Sequence, residues 1–288
     1  MDQQENNQST TVQDTVNQST TTNNGTASTP PVPPTHDDRR MYPEFTVKRN
    51  EHPKILFAIP FVGLLIKLIL IIPVYIVQLA LGLVVGVLWA ITPFVILFKG
   101  RHWDIAYEMM SGLITYQTKV TLYLTGVTDI YPGFNLKPND AFTLHIRMPE
   151  KSSRMLGFPI LGFLVRLFIT LPYTIYASVL SNGMRLAAIA SWFAVMYKKT
   201  YPESLHEFVR DTTRVHMASM MYLYYLSDVY PSFKISMNHK KVKIALIVLG
   251  ALWFVFGDSG EYLDKMDKYK NTNESTIVTP TPLPLPNY

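Results

Sequence analysis

Two long apolar blocks dominate the hydropathy pattern of the chain. Residues 55–98 contain one charged residue, and residues 155–197 contain two. A helix needs about 20 residues to cross a membrane, and backbone polar groups in lipid must be satisfied within the segment. Each block therefore predicts two helices joined by a tight turn, that is, a helical hairpin.

The turn of each hairpin has more than one candidate position. Gly82 lies near the middle of the first block, and the Ser-Asn-Gly sequence of residues 181–183 lies at the matching place in the second. Such residues are typical of turns. Pro73 and Pro172 offer an alternative break nearer the start of each block. A wedge-like hairpin that does not cross the membrane fully also stays open.

Helical periodicity continues after each block. Apolar residues between 103 and 125 are spaced by three or four, and a polar stripe runs through residues 203–226. These segments predict two amphipathic helices that lie against the membrane or cap the hairpins. A shorter apolar run at residues 240–257 predicts a fifth, C-terminal transmembrane helix.

Short alternating stretches predict strands on the cytoplasmic face. They cover residues 45–48, 142–148 and 233–237. The tails are different in character, because residues 1–40 are rich in Gln, Asn, Ser and Thr, and residues 258–288 end in a proline-rich run. Both tails are expected to be disordered, since they cannot bury enough apolar surface to offset the entropy of ordering.

The two apolar blocks belong to an internal repeat. A shift of 99 residues aligns residues 60–136 with residues 159–235 without a gap. The match includes polar positions, and Lys67 aligns with Arg166. This pattern indicates a tandem duplication with repeat 1 at 41–136 and repeat 2 at 137–235. Two hairpins would start both copies on the same side of the membrane, which predicts parallel repeats with a pseudo-two-fold axis along the membrane normal.

Each repeat closes with the same turn motif. The shared pattern is Asp-x-Tyr-Pro-x-Phe, in which proline stops the preceding helix and aspartate can form a local turn. The motif residues are Asp129, Tyr131, Pro132 and Phe134 in repeat 1, and Asp228, Tyr230, Pro231 and Phe233 in repeat 2.

These features together resemble a known bacterial membrane family. The pattern begins with an apolar block that carries a basic residue and a proline. After it come a Gly-Arg or Tyr-Pro element, an amphipathic helix with Tyr-Leu and the Asp-x-Tyr-Pro-x-Phe motif. Repeat 1 keeps Gly100-Arg101, whereas repeat 2 keeps Tyr201-Pro202. The pattern is similar to domain of unknown function 4389, present here as two tandem copies. The resemblance implies a membrane location and a helical fold, and it supplies no catalytic residue.

The distribution of Lys and Arg predicts the orientation. Residues 1–54 carry five, the linkers that follow the two blocks carry seven each, and the C-terminal tail carries three beside five acids. The positive-inside rule then puts the N-terminus and both linkers in the cytoplasm and the C-terminal tail outside. The expected location is the bacterial cytoplasmic membrane.

Composition narrows the chemistry. The chain has 288 residues, 48% of them hydrophobic and 16% charged, with no cysteine and a net charge of +5. The seven histidines form no zinc motif, and no nucleophile elbow, Walker-type loop or dinucleotide fingerprint occurs. We therefore predict no catalytic residues, no metal and no cofactor. The basic charges lie beside apolar helices, which favours an anionic membrane surface over nucleic acid as the partner.

Two basic residues inside the apolar blocks are the candidate site. One hypothesis is that Lys67 and Arg166 bind an anionic ligand or lipid headgroup, or form ion pairs with Glu108 and Glu207 of the amphipathic helices. The alternative is that both side chains snorkel to the cytoplasmic interface. The sequence does not choose between them.

The overall prediction is an all-α integral membrane protein. Two hairpin repeats would each carry an amphipathic interfacial helix, followed by a fifth transmembrane helix and with short cytoplasmic strands. We expect a non-enzymatic accessory, scaffold or membrane-shaping component that contacts membrane lipid and, in the accessory case, a membrane protein partner. The alternative is a small-solute or ion pathway between the two pseudo-symmetric repeats.

Overall fold

The computed structural model describes residues 43–149, 152, 158 and 160–257. The predicted tails at 1–40 and 258–288 lie outside these residues. The chain is mostly helical, as predicted, with one small sheet. In chain order the elements are β1 (Glu44–Val47), α1 (Ile55–Ala58), α2 (Val62–Lys99), α3 (Asp104–Leu124), β2 (Phe142–His145), α4 (Leu161–Lys198), α5 (Glu203–Leu223) and α6 (Lys240–Phe256).

The predicted hairpins are wrong, because each apolar block forms one long helix. Helices α2 and α4 have 38 residues each, and both are long and apolar enough to cross a membrane. Prolines 73, 93 and 172 lie inside them without ending them. Gly183, a predicted turn residue, is a buried residue in the interior of α4. Hydropathy predicted the apolar segments but not whether they turn.

Helices α3 and α5 pack inside the fold. Helix α3 packs along α2, and helix α5 packs along α4. Helices α3 and α5, called the inner helices below, contact each other. Buried residues occur on most of the surface of α5, among them Phe208, Asp211 and Met221. The predicted helical segments are present at 104–124 and 203–223, but they form the core of the fold.

The long helices leave much of their apolar surface uncovered. On α2, exposed large side chains recur every three or four residues, which aligns them along one face. We call this face the α2 stripe: Leu65, Leu68, Ile72, Ile76, Leu79, Leu83, Val87, Ile91, Phe94 and Phe98. No charged residue interrupts it, since Lys67, the one charged residue of the block, is buried.

Helix α6 covers part of α4 through a close backbone contact. A Cβ atom placed on Gly250 would lie 2.4 Å from the carbonyl oxygen of Val179 and 2.7 Å from the backbone nitrogen of Gly183. Only glycine allows this approach. The sequence predicted this helix at 240–257, and its packing against α4 depends on small residues that hydropathy does not weigh.

Strands β1 and β2 form an antiparallel pair. Glu44 lies opposite His145, and Val47 lies opposite Phe142. Two of the predicted strands are therefore present. The third, at 233–237, is wrong, because this segment has no strand structure and is instead held against α5 by side-chain hydrogen bonds.

The two repeats are antiparallel in the fold. Phe163 near the start of α4 stacks edge-on against Trp89 near the end of α2, with ring centroids 5.2 Å apart. At the other end, Ser191 and Tyr201 lie beside Lys67 near the start of α2. The long helices of the two copies therefore run in opposite directions, and the predicted pseudo-two-fold axis along the membrane normal stays a prediction.

Equivalent contacts show a pseudo-two-fold relation between the copies. The Tyr201 hydroxyl donates to the Thr125 carbonyl at 3.3 Å, and the His102 ring lies 3.5 Å from the Tyr224 carbonyl. These are the same two positions in exchanged copies, since each pair differs by 99 residues. Backbone strain repeats as well: positive φ angles occur at Phe61 and Ile160, Gly100 and Lys199, and Gly126 and Tyr225.

Candidate functional site

Lys67 is held in a cage at the start of α2. Its side chain is 2% exposed, and Nζ donates to the Tyr123 carbonyl at the end of α3, 2.9 Å away. The ammonium group also lies 5.2 Å from the Tyr123 ring centroid and 5.5 Å from that of Phe57. A carbonyl and two ring faces thus replace water around the cation. Snorkelling to the interface does not describe this side chain.

Arg166 occupies the equivalent cage at the start of α4. Its side chain is 1% exposed, and Nη1 donates to the carbonyls of Tyr222 and Ser227 at 2.7 and 3.2 Å. Nη2 forms an ion pair with Asp228. The guanidinium lies over the rings of Tyr222 and Tyr225, at 4.8 and 4.5 Å. Its buried Nε atom has no hydrogen-bond partner in the part of the chain that the structure describes.

The two cages differ in how they use the motif aspartate. Asp228 pairs with the cation of its own copy, whereas Asp129 accepts hydrogen bonds from the Asn50 side chain at 2.9 Å and the Lys54 backbone at 2.7 Å. Asp129 therefore fixes the chain that leads into α1. The motif aspartate forms an ion pair with the buried cation in repeat 2 and accepts hydrogen bonds from the N-terminal segment in repeat 1.

The tyrosine of the motif fastens each inner helix to its long partner. Tyr131 donates to the Leu70 carbonyl and Tyr230 to the Ile169 carbonyl, both at 3.1 Å. These carbonyls lie next to the ones that Pro73 and Pro172 leave without a helical donor. The motif thus supplies hydrogen bonds where proline weakens the long helix. Its residues were predicted as a turn, and the structure adds this role.

The predicted ion-pair partners are wrong. Glu108 is exposed on α3, and Glu207 contacts the segment before α6. The acid that Arg166 meets is Asp228. A sequence clue existed, because Asp228 follows the end of α5 within the repeated motif, where the chain folds back over the start of α4.

Sequence reasoning missed Asp211 on α5, one helical turn after Glu207. Asp211 is fully buried and accepts hydrogen bonds from Arg210 Nε at 3.0 Å and from the Ser236 backbone at 2.7 Å. Glu207 accepts from the Asn238 backbone at 3.2 Å and lies 3.0 Å from the His239 ring. Burial alone would raise the pKa of the Glu207 carboxyl, but the hydrogen bonds from His239 and Asn238 outweigh burial and lower this pKa.

In repeat 1 a buried lysine, rather than buried carboxylates, holds the segment that follows the motif. Lys119 of α3 is 1% exposed, and its Nζ donates to the Asn135 carbonyl at 2.6 Å and to the Pro132 carbonyl at 3.3 Å. Burial lowers the pKa of this lysine. The segment that follows each motif is therefore held to its inner helix by buried charged groups, although the residues are not equivalent.

A small cavity lies where the two inner helices meet. It measures about 90 Å³, and four pairs of equivalent positions line it. The pairs are Ile114 and Thr213, Gln117 and His216, Thr118 and Met217, and Thr121 and Met220. Within residues 43–149, 152, 158 and 160–257, no three His, Cys, Asp or Glu side chains form a metal-binding group.

Comparison with known proteins gives one match. The family model for the domain of unknown function DUF4389 matches residues 62–135 and again residues 161–234. These ranges hold both caged cations and both Asp-x-Tyr-Pro-x-Phe motifs. No curated protein and no solved structure matches the chain. Because the two matched segments together cover just over half of the sequence, the chain belongs to the DUF4389 family and carries two tandem copies of its domain.

Proposed function

We propose that this chain is an integral protein of the bacterial cytoplasmic membrane, inserts into the bilayer from the cytoplasmic side, and shapes it without catalysing a reaction. The α2 stripe supports membrane insertion, because ten large apolar side chains on one face would otherwise meet water. Exposed apolar side chains also occur on α4 and α6, among them Phe168 and Val255. The surface is larger than single exposed residues on a soluble protein account for.

The length of α2 argues against an upright span. Its 38 residues correspond to about 57 Å, whereas the hydrocarbon core is about 30 Å thick. Even at a tilt of about 40°, the top of the usual range, such a helix would extend about 44 Å along the membrane normal. The apolar stripe would then protrude into water at one or both ends. A helix that lies along the membrane buries the whole stripe.

The residues that flank the helices provide the main support for insertion from one side. Gly100 at the end of α2 accepts a hydrogen bond from the Ser152 backbone, 3.1 Å away. Residues 142–149 precede Ser152 in the chain and include β2, and its pairing partner β1 leads on to Asn50, which contacts Asp129 near the start of α2. The strand pair and the described residues beside it thus lie between the two ends of α2.

A crossing α2 would draw this strand pair through the hydrocarbon. Glu44 of β1 and Arg147, two residues after β2, form an ion pair whose side chains are 56% and 52% exposed. Extended backbone and exposed charges of this kind do not occur against lipid. Both ends of α2 on one side of the membrane avoid the cost. The pseudo-two-fold axis would then lie along the membrane normal, with antiparallel copies in one leaflet.

One-sided insertion connects the fold to membrane shape. Helices that enter one leaflet enlarge it relative to the other, which favours curvature. The Lys and Arg residues of the segments around the helices would face the cytoplasmic leaflet and attract its anionic headgroups. Arg185, exposed within α4, could reach those headgroups from a helix that lies flat.

Reconstitution tests the proposal. Purified protein would be added to vesicles of mixed zwitterionic and anionic lipid, and vesicle diameters would be measured by electron cryomicroscopy. We expect narrower vesicles or tubules as the protein-to-lipid ratio rises. Ile76→Lys and Phe168→Lys should abolish this effect, whereas Ile76→Leu should retain it. Inserted protein with unchanged vesicle diameters would contradict membrane shaping. A protein partner that copurifies with the chain from native membranes at equal stoichiometry would favour the accessory role.

A specific observation also supports the transport alternative. The cavity between α3 and α5 brings polar residues of both copies together, including Thr118, Thr121 and His216. In a membrane protein, a cavity with polar side chains between two pseudo-symmetric repeats is a candidate pathway. Ion or solute flux in sealed vesicles that disappears in Thr118→Val and His216→Leu would favour this role over membrane shaping.

A further inference from the structure

A second and larger cavity lies between α2, α3 and the end of α5. Its volume is about 530 Å³, within the range of about 300–1,000 Å³ that small-molecule sites occupy. None of the side chains around it is charged. Gly82 and Gly86 form part of its wall, and a Cβ atom at either position would meet no atom within 4 Å. The cavity is therefore open space.

The cavity opens on the α2 stripe. Leu79 and Leu83 belong both to the cavity wall and to the stripe, and each is 69% exposed. Trp89 and Leu113 add apolar surface deeper in the wall. If the stripe lies in the hydrocarbon, as proposed above, a molecule reaches this cavity from the lipid phase.

Two carboxamides line this largely apolar wall. The buried Oε1 atom of Gln78 has no hydrogen-bond partner among the described residues, and Gln117, which also lines the smaller cavity, forms no side-chain hydrogen bond with them. An unpaired amide in an apolar environment costs free energy, which a hydroxyl or ester group of a bound molecule would recover. An amide can serve as donor or acceptor, so it suits both groups.

We infer that this cavity binds an uncharged lipid, with one acyl chain along Gly82 and Gly86 and a glycerol hydroxyl or ester at Gln78 and Gln117. The inference rests on the proposed membrane insertion. The uncharged wall distinguishes it from a headgroup site, because a phosphate would find no cation there. The occupant is therefore of the diacylglycerol type.

Equilibrium binding to full-length protein in nanodiscs tests the inference. The probes are a pyrene-labelled diacylglycerol and a phosphatidylglycerol with the same acyl chains. We expect saturable binding of the diacylglycerol at one per chain. Gly86→Leu should weaken it about tenfold or more by filling the cavity, and Gln78→Leu should weaken it as well. Val87→Leu, on the same helix but outside the cavity wall, should leave binding unchanged.

Three results would overturn the inference. They are non-saturable partitioning, equal or stronger binding of the phosphatidylglycerol, and binding that Gly86→Leu leaves intact. A dimer that Gly86→Leu dissociates would assign the cavity to a second copy and also overturn it. The proposed function fails separately: protein that does not pellet with vesicles contradicts membrane insertion, whereas inserted protein without probe binding contradicts only the lipid site.

Discussion

At the scale of residues, the two caged cations show how a charge can be buried beside apolar helices. Each is solvated by a backbone carbonyl at the end of an inner helix and by aromatic faces. The carbonyls at a helix C-terminus carry the negative end of the helix dipole, which favours a cation there. Only Arg166 adds a full ion pair, with Asp228. The cages are therefore equivalent in position but not in electrostatics.

Removal of the two cations should have unequal effects. Arg166→Met removes a buried charge together with its ion pair to Asp228, and we expect a loss of about 3 kcal/mol in unfolding free energy. Lys67→Met removes a buried charge that has no described carboxylate within ion-pair distance, so its cost should stay within about 1 kcal/mol. Thermal unfolding in one detergent measures both. Equal losses would contradict the asymmetry, and Asp228→Asn should partly rescue Arg166→Met.

Glu207 should make the packing of the segment before α6 dependent on pH. Its folded pKa lies below the ordinary value of 4.5, so its stabilisation is present at neutral pH and is lost as the pH falls through the folded pKa. The charged groups that face the Glu207 carboxylate are His239 and Arg210. Unfolding midpoints of wild type and Glu207→Gln, measured between about pH 3 and pH 7, should converge at the acidic end. A difference that grows on acidification would contradict this sign.

The positions of the cages could be predicted from the sequence, but their partners could not. A basic residue at the same place in two apolar blocks marked Lys67 and Arg166. Their hydrogen-bond and ion-pair partners come from residues 56 to 62 positions away, and they meet the cation only because an inner helix folds back along a long one. Sequence spacing carries no information about that packing.

At the scale of elements, hydropathy located the helices and missed their continuity. Helices α2 and α4 continue through their prolines. The motif tyrosines Tyr131 and Tyr230 donate hydrogen bonds to helix carbonyls one turn before Pro73 and Pro172. Gly82 and Gly183 looked like turn residues but have other roles, one in the wall of a cavity and one at a helix contact. Composition at a single position does not distinguish a turn from a packing site.

The contact between α4 and α6 provides a prediction at this scale. Gly250→Val should separate the two helices, because its side chain would meet the Val179 carbonyl and the Gly183 backbone. We expect a loss of about 1–3 kcal/mol, typical of overpacking. Gly82→Val is the matched control, since nothing lies within 4 Å of its Cβ position. Comparable destabilisation by both variants in thermal unfolding would contradict the close contact.

At the scale of the whole molecule, the duplication was visible in the sequence and its geometry was not. A 99-residue shift reveals two copies, yet parallel and antiparallel copies give the same alignment. The direction of the long helices follows from which ends meet, because Phe163 near the start of α4 packs on Trp89 and Ser191 near its end lies beside Lys67. The sidedness predicted from Lys and Arg counts assumed hairpins, so it needs a direct test on the long helices.

Cysteine labelling provides that test, since the chain contains no cysteine. Single cysteines would replace His52, Arg101, Asp140 and Ser275, and an impermeant maleimide would be applied to spheroplasts and to inverted vesicles. One-sided insertion predicts labelling of all four from the cytoplasmic side, because the strand pair lies between the ends of α2 and because α6 lies beside α4. A C-terminal crossing would instead expose residue 275 outside, and an upright α2 would separate residues 52 and 101.

A fifth cysteine, at Gly82, distinguishes one-sided insertion from a fully crossing hairpin. A crossing hairpin has its tip near this residue and exposes it to reagent outside the cell. In one-sided insertion, Gly82 stays in the hydrocarbon and reacts from neither side, although a membrane-permeant reagent reaches it. Labelling from outside would indicate a hairpin tip at Gly82 and would contradict the continuous helix α2. Protection from both sides, with His52 and Arg101 reactive only in inverted vesicles, requires α2 to enter and leave the membrane at one surface.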